Sequence, residues 1–131
     1  MLKEEHAQAM LKAAREHALK LGVKVNIAIV DAGAHLLAFN RMDGAMLGSI
    51  EVALKKARTA VLFPMPAEQF GEIIRHAELT GMEHTNGGLV AFAGGQPLHV
   101  DGRLLGAIGV SGANAEQDKD IAEQAIIQIM G

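Results

Sequence analysis

Apolar side chains recur along this chain with two different periods, and the changes between them mark the elements. From Leu2 to Leu21 they fall at Ala7, Met10, Leu11, Ala14, Ala18 and Leu21, the spacing of one helix face, and Gly22 supplies a C-terminal stop. The pattern then tightens. "KVNIAIVD" (24–31) and "HLLAFNR" (35–41) are short apolar runs around "DAGA", where Gly33 is placed to supply a positive backbone angle, so they predict a hairpin. Val25, Ile27 and Ile29 line one side of the first run and Ala28 and Val30 the other, which predicts a strand covered on both faces.

Helical spacing resumes with Ile50, Ala53, Leu54, Ala57 and Val61 and must end near "FPMP". Pro66 then opens a third helix, because a missing N–H costs nothing in a first helical turn; Phe70, Ile73, Ile74 and Ala77 form its apolar stripe. "NGGLVAFAGGQPLHVDGRLLGAIGVSG" (86–112) carries two turn signals, Gly94-Gly95 and Asp101-Gly102, and predicts three successive antiparallel strands. Asn114, with Gln117 placed to return the cap, starts a last helix that runs toward Met130. This order fits an α+β fold, a mainly antiparallel five-stranded sheet with helices on its faces. The first and last strands are the most apolar and belong together at its centre, whereas "GQPLHV", with its proline, belongs nearer an edge.

Composition narrows the classes open to such a fold. At 131 residues the chain is expected to form a single domain over residues 1–131. No apolar run approaches the roughly 18 residues of a membrane span, and "LKEEHAQAM" after Met1 has none of the parts of a secretion signal; the expectation is a cytoplasmic protein with no membrane partner. There is no cysteine, which excludes disulfides, thiolate metal sites and cysteine nucleophiles. A net charge of -3, no basic run longer than "KK" and only four Phe among the aromatics exclude a nucleic-acid reading.

The junction "RMDG" (41–44), between the second strand and the second helix, is the first candidate site. Asp43 is placed to cap that helix. Arg41 offers a planar guanidinium suited to a carboxylate ligand. In "GVSGAN" (109–114), glycines allow close backbone approach and the helix that follows offers unpaired N–H groups to an anion; relief of crowding where a strand crosses a helix is the plain alternative. Lys55, Lys56 and Arg58 read as a solvated charged face.

Of the six histidines, His6 and His17 stand out: they are close to three whole turns apart and share one side of the first helix, with Met10 and Ala13 between them. A flat apolar ligand carrying a metal would rest there with one imidazole as axial ligand, and two solvent-facing histidines are the plain alternative. His84 falls on an expected loop. No serine elbow and no phosphate loop is present.

"IAIVDAGAHLLAFNRMDGAMLGSIEVALKKARTA" and "GGQPLHVDGRLLGAIGVSGANAEQDKDIA" together resemble the two signature blocks of the GlcG/HbpS family, which also includes the C-terminal domain of PduO-type proteins. The resemblance implies a profilin-like fold in three layers, α/β/α, a tendency to form homo-oligomers, and in several members haem binding. Its signature positions here are Asp31, Gly33, Arg41, Met42, Asp43, Gly44, Lys56, Ala57, Thr59, Ala60, Gly95, Pro97, Gly106, Gly109, Val110, Ser111, Gly112 and Asp118. In the PduO-type branch the resemblance implies a haem-ligating histidine in the first helix, for which His17 and His6 are the candidates, with His17 the expected metal ligand. Two readings follow. The first is a cytoplasmic small-molecule-binding protein for haem or a related tetrapyrrole, in a pocket lined by Arg41 and Asp43 of the junction and by Ser111 and Gly112, with basic groups and helix N–H donors holding the ligand's acidic groups. The second is an enzyme of small-acid or aromatic catabolism that holds a carboxylate near Arg41 and moves a proton with His84, His99 or Asp31.

Overall fold

The computed structural model describes residues 1–130. Its elements are α1 (Glu4–Leu21), β1 (Asn26–Asp31), β2 (Leu36–Arg41), α2 (Gly48–Leu62), α3 (Ala67–His76), β3 (Gly95–Val100), β4 (Arg103–Ser111) and α4 (Ala115–Met130), with a short 3-10 turn at Met82–His84. The four strands form one antiparallel sheet in the order β2-β1-β4-β3. The two most apolar strands lie at the centre and the proline-bearing β3 at an edge, as the hydrophobic pattern predicts.

Alternation along β1 builds a core on each face of the sheet. Ile27 and Ile29 join Met10, Ala14 and Ala18 of α1 and Ile121, Ala122 and Ala125 of α4. Ala28 and Val30 pack instead with Ala53, Ala57 and Ala60 of α2. Small side chains on α2 bring its backbone close to the sheet, and Gly109 of β4 is where they meet: a Cβ there would overlap the Ala53 carbonyl and lie 2.6 Å from the Ala57 nitrogen. A third, smaller cluster of Phe70, Ile74 and Leu89 seats α3, with the Phe63 and Phe70 rings stacked at 4.3 Å.

The sheet has four strands, not five. The strand expected before the Gly94-Gly95 turn is irregular because its hydrogen bonds and apolar groups go elsewhere. Leu89 is drawn into the α3 cluster, the Val90 N–H donates to Thr59 Oγ1 at 3.0 Å, and only the Gly94 carbonyl reaches β4, accepting from Val110 N–H at 2.9 Å. The Asp101-Gly102 turn forms as expected, both residues having positive φ (52° and 77°). In the β1–β2 turn the positive φ falls on Ala34 (64°) rather than Gly33, and the Asp31 carboxylate holds the turn by accepting from the Gly33 and His35 N–H groups, each at 2.9 Å. The capping box on α4 is present: Asn114 Oδ1 accepts from Gln117 N–H at 2.8 Å and Gln117 Oε1 from Asn114 N–H at 3.2 Å.

Candidate functional site

The register places Arg41, Asn26 and Ser111 in one row across three strands, at the end of the sheet from which β2 leaves. Beyond it the chain turns at once, with Ala45 N–H donating to the Met42 carbonyl at 3.1 Å and Gly44 at φ 82°. Asp43 therefore does not cap α2. That helix begins only at Gly48, after Leu47, and no side chain caps it. Gly44 suits this turn because its φ of 82° lies in the left-handed region that other residues rarely adopt; the Lys24 side chain that passes over it is exposed and free to shift.

Arg41 and Asp43 line a cleft of about 430 Å³ between α1 and the end of β2, together with Arg15, Leu19, Lys24, Asn40 and Met42. A smaller hollow of about 200 Å³ continues it along α1, sharing Arg15 and Asn40 and adding Gln8, Leu11 and Lys12. Ser111 and Gly112 do not reach this cleft. Ser111 is buried, and Gly112 packs against the Lys24–Val25 backbone, where a Cβ would lie 2.8 Å from the Lys24 carbonyl oxygen. The anion that the start of α4 attracts is the chain's own: Asp118 Oδ1 accepts from Ala113 N–H at 3.0 Å.

Asp118 is also the partner of Lys56, which is buried and not part of a solvated face. Lys56 Nζ donates to the Val110 carbonyl at 2.8 Å and lies 3.3 Å from Asp118 Oδ2, with the Phe92 ring 5.0 Å away. Burial pushes the Lys56 ammonium down and the Asp118 carboxyl up from their ordinary values, and the pairing opposes both shifts. Because α2 and α4 lie on opposite faces of the sheet, this bond ties the two helical layers together around the sheet's end. The sequence signal was available: Lys56 falls in the stripe of Ala53, Ala57 and Ala60 rather than opposite it.

The two histidines of α1 differ. His17 is the only one of the six histidines that is not exposed, and its Nε2 lies 2.7 Å from Asp120 Oδ2 of α4. His6 is exposed, its Nδ1 accepting weakly from Lys3 N–H at 3.4 Å. Met10 and Ala13 between them are buried under α4, so a flat ligand cannot lie along that stretch as the spacing suggested. His17 and Arg15 are two residues apart, about 200° around the helix, which puts His17 at the α1–α4 edge and the basic cleft on the other side of α1.

The proton carriers expected beside Arg41 are elsewhere. Asp31 ends β1 five residues from Asn26, roughly 17 Å along the strand. His99 sits beyond it near the β3–β4 turn, and His84 lies on the 3-10 turn after α3. Among the described residues no helix is long and apolar enough to cross a membrane.

Known proteins resemble this chain in sequence and in fold. PduO of Salmonella typhimurium, a corrinoid adenosyltransferase, is 42% identical over 122 residues; the alignment covers 92% of this chain but 36% of PduO, so the chain spans about a third of that relative. GlcG of Escherichia coli K12 is 35% identical over 111 residues, 85% of this chain and 81% of GlcG. The crystal structure of a PduOC:haem complex superimposes with a TM-score of 0.91 at 40% identity, covering 96% of this chain and 93% of that one. A family model described as haem degrading protein HbpS-like matches residues 2–127, and the chain belongs to that HbpS-like family.

Proposed function

We propose that this protein binds haem or a related tetrapyrrole, with His17 as the axial ligand. The observation that carries the reading is the Asp120 carboxylate 2.7 Å from the His17 ring. The carboxylate holds Nε2 and fixes the imidazole's orientation, which leaves Nδ1 as the ring nitrogen that a metal would meet. With no cysteine and no tyrosine in the chain, imidazole and thioether are the ligand types left for iron, and a half-buried, carboxylate-held imidazole fits that role. Bound haem supplies an iron centre able to exchange ligands and electrons. The chain's own part is to hold the imidazole and to shield it with the α1–α4 edge. The likeness to a PduOC:haem complex across nearly the whole chain supports the same ligand. Because His17 lies at an open edge, the reading includes assembly of the chain with itself, a second copy closing over the bound tetrapyrrole.

The test is a haemin titration followed at the Soret band. Wild type should shift the band in a saturable way; His17→Ala should weaken binding at least tenfold, and His6→Ala, which removes an exposed ring, should change it little. A wild-type spectrum identical to free haemin, or equal binding by His17→Ala, removes the reading.

A further inference from the structure

The basic cleft on the far side of α1 is not explained by haem at His17. Its walls carry Arg15, Lys24 and Arg41, with Lys12 in the continuing hollow, against one carboxylate, Asp43. Among the described residues, none of these four cations takes part in an ion pair or a side-chain hydrogen bond, although five ion pairs form elsewhere. At the junction of the cleft and the hollow lies Asn40, whose Nδ2 is buried with no acceptor. Buried amide donors are normally satisfied, so this one is suited to an acceptor entering the cleft. Unpaired cations gathered around an unmet donor repel one another and gain from a shared anion.

The geometry points to a second binding site here, for a small organic acid with two or more carboxylates. Arg15 on α1 and Arg41 at the end of β2 face the cleft from opposite walls, and each guanidinium fork matches one planar carboxylate. Leu19 and Met42 give those walls an apolar stretch between the charges, which suits a short carbon skeleton better than a bare inorganic ion. Asp43 at the rim accepts a hydrogen bond from a hydroxyl but repels a compact dianion such as phosphate. The role proposed is binding, since Asp31, His84 and His99, the chain's expected proton carriers, are all remote from the cleft. This proposal is independent of the haem reading, since the two sites lie on opposite sides of one helix.

Isothermal titration and thermal-shift assays with succinate, malate, citrate and phthalate test it, with inorganic phosphate as the compact-anion probe. The expected result is saturable binding of at least one of the four acids, weakened tenfold or more in Arg41→Gln and in Arg15→Gln. Arg75→Gln, an exposed arginine of α3, should bind as wild type does. Failure of all four acids overturns the proposal, as does phosphate binding as tightly as the acids, or an equal loss in Arg75→Gln. Haemin binding by Arg41→Gln is read alongside: retained haemin binding with lost acid binding supports two separate sites, and joint loss contradicts their independence.

Discussion

Lys56 shows how far a single side chain can depart from its type. Its charge suggests solvent, yet it is 1% exposed and hydrogen-bonded to Val110 and Asp118. Removing it strands the Asp118 carboxylate in a buried site, so Lys56→Ala should cost about 3–5 kcal/mol in urea unfolding. Replacing both partners with apolar residues should recover only part of that loss, because Ala113 N–H would then lack its acceptor. Asp31 is the opposite case, a short-range role readable from "DAGA". The backbone N–H of His35, foremost, and that of Gly33 hold its carboxyl below the ordinary value of 3.8. A carboxyl lowered in the folded state adds stability that is fully present above the unfolded value and is lost as pH falls through the folded one. Asp31→Asn should therefore remove an acid-side slope, below about pH 4, from the stability curve while leaving neutral-pH folding cooperative. Arg41 was legible as a candidate from its place at a strand end, and it does line a cleft. Arg15 and Lys24 were not, because nothing in the local pattern says that α1 folds back beside β2.

At the scale of elements, periodicity located all four helices, the central strand pair and the edge position of β3. It failed at 89–94, where "LVAFAGG" reads as a strand but Leu89 and Val90 are claimed by α3 and Thr59. That competition is tertiary and has no signature in a window of seven residues. It also misplaced the start of α2, since four residues, Gly44 to Leu47, separate the expected cap Asp43 from the helix. The glycines of β4 were open to two explanations, and at Gly109 packing is sufficient: α2 lies against the strand there. Gly109→Ala should push α2 away and destabilise the fold by about 1–3 kcal/mol, measured as a lower denaturant midpoint with an unchanged slope. An unaltered midpoint would show that α2 is free to move.

Across the whole molecule, α1 is a partition. One side packs against α4 and presents His17 at their shared edge; the other walls a cleft rich in unpaired cations. Sequence spacing brought His17 and Arg41 into one imagined pocket, because a linear reading cannot tell on which side of a helix the rest of the chain will settle. Their separation assigns the proposed haem edge and the proposed acid cleft to opposite sides of α1. The most direct measurement is a pair of haemin titrations, on His17→Ala and on Arg41→Gln, followed at the Soret band. A loss of at least tenfold in affinity for His17→Ala with Arg41→Gln matching wild type is the predicted result; the reverse pattern, with Arg41→Gln impaired and His17→Ala unaffected, would contradict the assignment.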